Sequence, residues 1–179
     1  EDGGVNSFFF DFTEWSHIIA DLQTSADIKR NWLYANSTHI IDLAFHLGGK
    51  PIQMHSYAEG KNSLDWHPSS AKFSGAGITA SNTSFAYASD WTSPGRWRCE
   101  INTTNYKFIF CPIEKLNITK KGSVAIEPLD LDYSLDDDFK PGLFLQTKCF
   151  IENDFEQLKN HKEHCQDIQI FNTIINGSE

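Results

Sequence analysis

A set of polar side chains repeats at helical spacing near residue 40 of the sequence, and one of them is a histidine that could move protons. Asn36, His39 and His46 are its polar members, with Leu43 on the same stripe and Asp42 beside it. Steps of three and four residues place its members on one stripe of a helix. Imidazole titrates near neutral pH, so a histidine on such a stripe can accept and return a proton during a reaction. We therefore expect this side of the helix to face a functional site.

Two other interpretations of these residues remain open. His39, Asp42 and His46 would lie on adjacent helical turns, where their side chains could ligate a metal ion, although no further ligand cluster accompanies them. Alternatively, His39 is a core histidine that is held by a hydrogen bond, because polar residues in an apolar pattern mark sites only statistically. The spacing alone does not separate these interpretations.

The helix that carries the stripe is the clearest one in the sequence. Its apolar positions repeat at helical spacing and include Leu33, Ile40, Ala44 and Leu47. Gly48 and Gly49 suit a left-handed C-cap, and Pro51 blocks any continuation of the helix. The sequence therefore predicts a helix over about residues 33–47.

The chain from residue 52 to residue 131 has the patterns of β-structure. Phe85, Tyr87 and Trp91 alternate with small or polar residues, which places these aromatic rings on one face of a strand. Two helices are predicted later, over residues 141–155 and 163–176. We predict one domain, residues 1–179, of the α+β class: a mostly antiparallel, mixed, open-faced sheet of about six strands with helices on one face.

Composition and motifs exclude several classes of function. The net charge of −9 argues against binding to a phosphate backbone, and no apolar run is long enough to span a membrane. The acidic, glycine-rich start does not resemble a signal peptide. Gly75-Ala76-Gly77 leads into strand-like sequence rather than a helix, so it is not a dinucleotide-binding fingerprint. We expect no nucleic-acid or membrane partner and no cofactor site in this chain.

Three stretches carry a resemblance to a known family. Residues 37–43 (Ser-Thr-His-Ile-Ile-Asp-Leu) and 47–51 (Leu-Gly-Gly-Lys-Pro) resemble the helix that opens the C-terminal domain of the Gfo/Idh/MocA oxidoreductases, the group that includes glucose-fructose oxidoreductase and inositol dehydrogenase. Residues 89–97 (Ser-Asp-Trp-Thr-Ser-Pro-Gly-Arg-Trp) are similar to a strand pair of the same domain. Residues 139–143, running into 146–151, are similar to a later part of it. Their order along the chain strengthens the resemblance.

The resemblance implies specific roles for four residues. In the family, a histidine at the position of His39 faces the nicotinamide and the reacting carbinol and acts in proton transfer. We assign substrate contacts to Trp91 and Arg96, which lie in the second matching stretch, and to Asn36, which directly precedes the first. Many family members carry an aspartate one helical turn before the histidine, whereas this chain has Ala35. No carboxylate from that position would hold the His39 tautomer or raise its pKa.

The resemblance also implies what the chain lacks and what it would bind. The family places its nicotinamide-binding Rossmann domain before the domain seen here, so NAD or NADP is expected in a full-length parent and not in this chain. The substrate would be a sugar, a sugar derivative or a cyclitol. A different class of function remains possible: a non-catalytic module for dimerisation or carbohydrate binding, in which aromatic rings stack on a sugar. Those rings would come from Trp66, Tyr87, Trp91 and Trp97.

Cysteine usage and the expected open sheet face suggest the setting of the protein. The four cysteines form no Cys-x-x-Cys pair, which favours free, mostly buried thiols and a cytoplasmic location. Five Asn-x-Ser/Thr matches oppose this, but one of them is Asn36 on the predicted helix, and we interpret them as coincidental. An open, aromatic-bearing sheet face is expected to form a homo-oligomer.

Overall fold

Eight strands form one sheet in the computed structural model, which describes residues 2–178. The strands are β1 (Ser7–Asp11), β2 (Pro51–Glu59), β3 (Lys72–Thr79), β4 (Ser84–Asp90), β5 (Arg98–Asn102), β6 (Tyr106–Phe110), β7 (Leu116–Lys120) and β8 (Glu127–Pro128). Their order across the sheet is β2-β3-β4-β1-β5-β6-β7-β8. The pair β1–β4 is parallel and the other pairs are antiparallel. The predicted α+β class is confirmed, with eight strands in place of about six.

Six α-helices accompany the sheet within residues 2–178. They are α1 (Ser16–Asp21), α2 (Ala26–Arg30), α3 (Thr38–Gly48), α4 (Ser134–Asp138), α5 (Leu143–Glu152) and α6 (His161–Asn176). The helix predicted over residues 33–47 is present, but its first turn, Leu33–Ser37, is a π-helix that leads directly into α3. Asn160 and Glu163 form a reciprocal capping box that starts α6 two residues earlier than predicted.

The core lies between one face of the sheet and helices α3 and α6. Phe8 and Phe10 of β1 lie in register with Phe85 and Tyr87 of β4, and the paired ring centroids are 5.2 and 5.1 Å apart. Phe45 of α3 packs edge-on against this layer, 5.8 Å from the ring of Phe8. Alternation along β1 and β4 therefore directs the aromatic side chains toward the helices.

On β4, the face of the sheet away from α3 carries small residues instead of aromatic ones. Phe85 and Tyr87 are buried, whereas Ala86 and Ala88, which alternate with them on β4, are exposed. The expectation of an open aromatic face is therefore wrong for this strand. A strand whose large side chains all point one way necessarily presents its small residues on the other face.

The segment from α4 to α5 packs little of its surface against the sheet. No residue of α4 or α5 is buried, and Phe150 and Ile151 are 66% and 71% exposed. No helix within residues 2–178 combines the length and the apolarity needed to cross a membrane. All four cysteines are free thiols, but only Cys99 is buried, so the expectation of mostly buried cysteines is wrong.

Candidate functional site

A buried carboxylate, Glu14, lies at the centre of the candidate site. Glu14 follows β1 and is 7% exposed. Its Oε1 atom accepts hydrogen bonds from Ser37 Oγ at 2.6 Å and from Trp97 Nε1 at 3.2 Å. The Nδ2 atom of Asn36 lies 3.2 Å from Oε1 and 3.3 Å from Oε2. Two separate parts of the chain, residues 36–37 and Trp97, therefore converge on this side chain.

The segment after β1 is fastened to the connection between β4 and β5, and this fastening positions Glu14. Trp15 Nε1 donates to the carbonyl of Gly95 at 2.8 Å, and the backbone N–H of Asp90 donates to Thr13 Oγ1 at 3.1 Å. A Cβ atom on Gly95 would lie 2.7 Å from Thr13 Cγ2, so the close approach requires glycine there. Glu14 is thereby held beside Trp97.

The π-helical turn at Leu33–Ser37 supplies the other two hydrogen-bond donors. Asn36 and Ser37 are neighbours in this turn, and both side chains reach Glu14. Single π-turns within α-helices occur frequently at functional sites, because the extra residue in the turn redirects the side chains. The polar stripe predicted from sequence thus begins on a turn that presents two adjacent side chains to one acceptor.

Burial raises the pKa of Glu14, and the hydrogen bonds from Ser37, Asn36 and Trp97, together with the nearby N–H of Trp32, partly oppose this effect. Within residues 2–178, no lysine, arginine or histidine nitrogen forms an ion pair with this carboxylate. The Trp32 Nε1–H lies near enough to lower the pKa, but it is buried and does not meet the geometry of a hydrogen bond. The groups that donate to Glu14 are therefore all neutral.

Glu14 and Asn36 line a cavity of about 280 Å³. The exposed Arg96 lies at the same cavity, and its apolar wall contains Trp15, Ile18, Ile19, Leu22, Trp32, Trp97 and Ile113. The volume is near the lower limit for ligand pockets. Aromatic rings beside a carboxylate, an amide and a guanidinium suit a small ligand that carries both an apolar face and several hydroxyl groups.

His39 lies on the other side of the Trp97 indole. The two ring centroids are 6.3 Å apart, and the His39 side chain is exposed. The cleft beside His39, about 990 Å³, shares Trp97, Ile113 and Glu114 with the Glu14 cavity and is otherwise lined by residues of the segment 136–159. The structure therefore brings Asn36 and Arg96 together and places His39 in an adjoining cleft. Its exposure argues against the interpretation of His39 as a core histidine.

The proposed metal ligands do not converge. Asp42 forms an ion pair with Lys159, while His39 and His46 are exposed. Within residues 2–178, no group of three or more histidine, cysteine, aspartate or glutamate side chains has a metal-binding arrangement. Asp42 instead ties α3 to Lys159, the residue that precedes the N-cap of α6.

Trp91 lies in the core, and this placement corrects its assignment as a substrate contact. The residue is 1% exposed, and its Nε1–H donates to the carbonyl of Phe12 at 3.1 Å. Its ring stacks on Trp66, with centroids 5.8 Å apart, and lies 4.7 Å from His67. No face of the Trp91 ring remains for a sugar. The buried ring of Tyr87 is unavailable for the same reason.

Sequence reasoning missed Glu14 entirely. Glutamate is almost never fully buried unless it is paired, so nothing in its residue type predicts this position. Its neighbours Thr13, Ser16 and His17 are polar, so the local pattern does not indicate burial either. Its partner Trp97 is 83 positions away in sequence, and no local pattern links the two.

Comparisons with known proteins identify the fold. No protein-family model matches the sequence, and no curated protein matches it either. Levoglucosan dehydrogenase in complex with NADH and levoglucosan is similar in structure, with a TM-score of 0.54 and 15% identity, over 74% of this chain and 41% of that one. UDP-N-acetylglucosamine 3-dehydrogenase GnnA from Acidithiobacillus ferrooxidans has a TM-score of 0.51 and 16% identity, over 72% and 39% of the two chains.

A third similar structure is an oxidoreductase from Agrobacterium radiobacter in complex with NAD+, L-tartaric acid and magnesium, with a TM-score of 0.53 and 11% identity, over 74% of this chain and 41% of that one. The resemblance predicted from sequence is confirmed at the level of the fold: this chain folds like one part of the Gfo/Idh/MocA-type oxidoreductases. The chain spans about two fifths of the length of the solved structures that it matches.

Proposed function

We propose that the chain is the substrate-binding and oligomerisation domain of a longer NAD(P)-dependent oxidoreductase that acts on a CH–OH group of a sugar, a sugar derivative or a cyclitol. The observation that carries the proposal is the arrangement of two adjoining sites around one ring. The indole of Trp97 donates to Glu14 on the cavity side and lies beside His39 on the cleft side. A ligand that crosses the edge of this ring would reach both sites.

The cleft of His39 and the cavity of Glu14 would perform different parts of such a reaction. Oxidation of a carbinol removes a hydride from carbon and a proton from oxygen. A nicotinamide nucleotide held by the rest of the protein would supply the hydride acceptor. His39 is exposed in the cleft and its imidazole accepts the proton from the hydroxyl group. The remaining hydroxyl groups of the substrate bind in the cavity beside Asn36 and Arg96.

The position one turn before His39 bears on how this proton transfer is tuned. Ala35 is exposed and carries no carboxylate, so it cannot raise the pKa of the histidine or hold one tautomer. We propose that His39 works here without a charged partner on its own helix. The imidazole is then free to exchange its proton with solvent through the open cleft.

The other expected partners belong to the same proposal. The nicotinamide nucleotide would be held by a Rossmann domain outside this chain, since no dinucleotide fingerprint occurs in these 179 residues. A second copy of the chain would cover the open face of the sheet. The four free cysteines favour a cytoplasmic setting for the whole protein.

The test is an activity assay on the full-length protein. Reduction of NAD+ and of NADP+ is followed with a panel of hexoses, anhydrosugars, nucleotide sugars and cyclitols. We expect turnover with at least one of them, and none by the isolated chain, which should also show no micromolar affinity for NAD(H) in calorimetry. Tight binding of NAD(H) to the isolated chain, or full-length protein that holds the cofactor yet turns over no member of the panel, would contradict the proposal.

A second function, a carbohydrate-binding module without catalysis, is favoured by one observation. Trp15 is 55% exposed at the mouth of the Glu14 cavity, where its ring can stack on a sugar. In that case the sugars of the panel would bind to the isolated chain, with no turnover in the full-length protein. Binding that is lost in Trp15→Ala would then identify the module.

A further inference from the structure

The amide of Asn36 has only one orientation beside Glu14. A carboxylate has no hydrogen to donate, so the NH₂ end of the amide, and not its carbonyl end, must face it. Nδ2 lies 3.2 and 3.3 Å from the two oxygens of Glu14. The carbonyl oxygen, Oδ1, is therefore turned away from Glu14.

The freed carbonyl oxygen remains available to a ligand. Within residues 2–178, Oδ1 of Asn36 accepts no hydrogen bond, and it is not among the buried polar atoms that lack a partner. It therefore keeps access to solvent on a residue that lines the cavity. An amide oxygen in this position accepts a hydrogen bond, and a hydroxyl group of a sugar can donate one.

We propose that Glu14 is a positioning residue that locks Asn36 as a hydrogen-bond acceptor and so makes the cavity select a substrate hydroxyl group that donates a hydrogen bond. The proposal rests on the proposed function, because it assigns a selectivity to the same site. It goes beyond that function because it names the substrate hydroxyl group that Asn36 selects and the residue, Glu14, that fixes the orientation of the Asn36 amide. Glu14 itself acts through Asn36 and need not contact the substrate.

The other contacts of Glu14 explain why the lock holds. Ser37 Oγ, at 2.6 Å, and Trp97 Nε1, at 3.2 Å, also donate to Oε1. These donors favour the carboxylate form of Glu14, which can only accept hydrogen bonds. Burial of the carboxylate makes each of these hydrogen bonds costly to lose, because water does not replace it. The carbonyl oxygen of the Asn36 amide, Oδ1, is therefore the atom that faces the ligand.

Glu14→Gln is the variant that removes the lock with little change of shape. A glutamine offers one acceptor and one NH₂ group in place of two acceptors, so the Asn36 amide can turn its carbonyl inward and its NH₂ outward. The variant should remain folded, since the side-chain volume is nearly unchanged.

The first experiment needs no substrate. In isotope-labelled chain, the NH₂ signals of Asn36, identified by their loss in Asn36→Asp, should shift with pH at the same midpoint as the carboxyl carbon of Glu14. They should lose this response in Glu14→Gln. The NH₂ group of Asn31, which donates to the carbonyl of Asp27 at 2.9 Å, is the internal control and should not follow Glu14. Asn36 signals that ignore the titration of Glu14 would overturn the proposed lock.

The second experiment uses the full-length protein and the sugar of the panel with the highest rate. Glu14→Gln should raise KM about tenfold with kcat changed less than threefold, the scale of one neutral hydrogen bond. Glu14→Gln combined with Asn36→Ala should be no worse than Asn36→Ala alone, because Glu14 acts through Asn36. Additive losses in the double variant would overturn the proposal. Complete absence of turnover in the wild type would instead count against the proposed function, while the spectroscopic test would still decide the lock.

Discussion

Lys50 extends from the end of α3 to Asp167 of α6, where its Nζ atom lies 2.6 Å from Oδ1. The other carboxylate oxygen of Asp167 binds Lys159 Nζ at 2.7 Å, and Lys159 also pairs with Asp42 of α3. Asp167 is 2% exposed. This buried carboxylate therefore ties α6 to the helix that carries Asn36 and His39.

Asp167→Asn should lower the free energy of unfolding at neutral pH by about 1–2 kcal/mol, because two partly exposed lysines lose their shared carboxylate. Chemical denaturation measures this. Burial alone would raise the pKa of Asp167, but the hydrogen bonds from Lys159 and Lys50 lower it below its ordinary value of 3.8. The stabilisation is therefore present above pH 3.8 and is lost as the pH falls through the folded-state pKa.

A surface ion pair provides the matched control for Asp167. Asp27 lies 3.6 Å from Arg30, and both side chains are mostly exposed. Asp27→Asn should change the stability by less than about 0.5 kcal/mol at any pH. Equal effects of the two variants would show that the buried carboxylate adds nothing beyond an ordinary surface pair.

Gly48→Ala should destabilise the fold by about 1–3 kcal/mol, although alanine is the better helix former by about 1 kcal/mol. A Cβ atom on Gly48 would lie 2.3 Å from two ring atoms of Phe8. That ring is held between Phe85 and Phe45, at 5.2 and 5.8 Å, and has no free direction in which to move. Thermal and urea denaturation give the difference.

A double variant tests whether the clash with the Phe8 ring is the cause. In a Phe8→Leu background, the added cost of Gly48→Ala should shrink, because the ring atoms that the new methyl group meets are gone. Stabilisation by Gly48→Ala in the wild-type background would mean that helix propensity outweighs the contact.

Gly48 and Gly49 show what the sequence could and could not predict about the fold. The pair was sufficient to locate the end of the helix, and Gly49 does adopt a positive φ of 95° as its C-cap. Gly48 lies inside the helix for a different reason, the close approach of Phe8. A local pattern of residue types indicates where a helix ends. The requirement for a glycine at position 48 depends instead on Phe8 of β1, which is forty positions earlier in sequence.

The site was predictable to the same partial degree. Helical spacing placed Asn36 and His39 correctly on one element, and Arg96 lies at the cavity of Asn36. The stripe could not reveal that Trp97 separates Asn36 from His39, since that separation depends on a loop about sixty residues later. Trp91 has the residue type of a sugar contact. Its large apolar ring is equally suited to packing in the core, however, and the core is where it lies.

The open face of the sheet should be the contact between copies of the chain. Ala86 is exposed near the middle of this face, in register with Ala76 of β3 and Phe9 of β1. The small side chains of Ala76 and Ala86 leave room at this point for another sheet to approach closely. We expect a dimer or larger oligomer in sedimentation at high micromolar concentration, and a monomer for Ala86→Glu, because a carboxylate there would be buried without a partner.

Ser81→Glu is the control for the sheet-face variant. Ser81 is exposed in the turn between β3 and β4, outside the face, so the added charge should leave the assembly intact. A wild-type chain that sediments as a monomer, or an Ala86→Glu variant that remains associated, would rule out this face as the interface.

His39→Ala in the full-length protein should lower kcat by about a hundredfold or more, the usual scale for a general acid–base residue. Cofactor affinity should change little, since the nucleotide would be held outside this chain. Stability should also be unchanged, because the imidazole is exposed and packs only beside Trp97. The matched control is His46→Ala, an exposed histidine on the same helix that does not line the cleft of His39; it should retain full turnover.

In the reverse direction, Ala35→Asp should shift the pH–rate profile to higher pH, because a carboxylate near His39 favours the imidazolium form. Near-normal turnover in His39→Ala would remove His39 from the reaction, and an unshifted profile in Ala35→Asp would show that another group titrates in the rate.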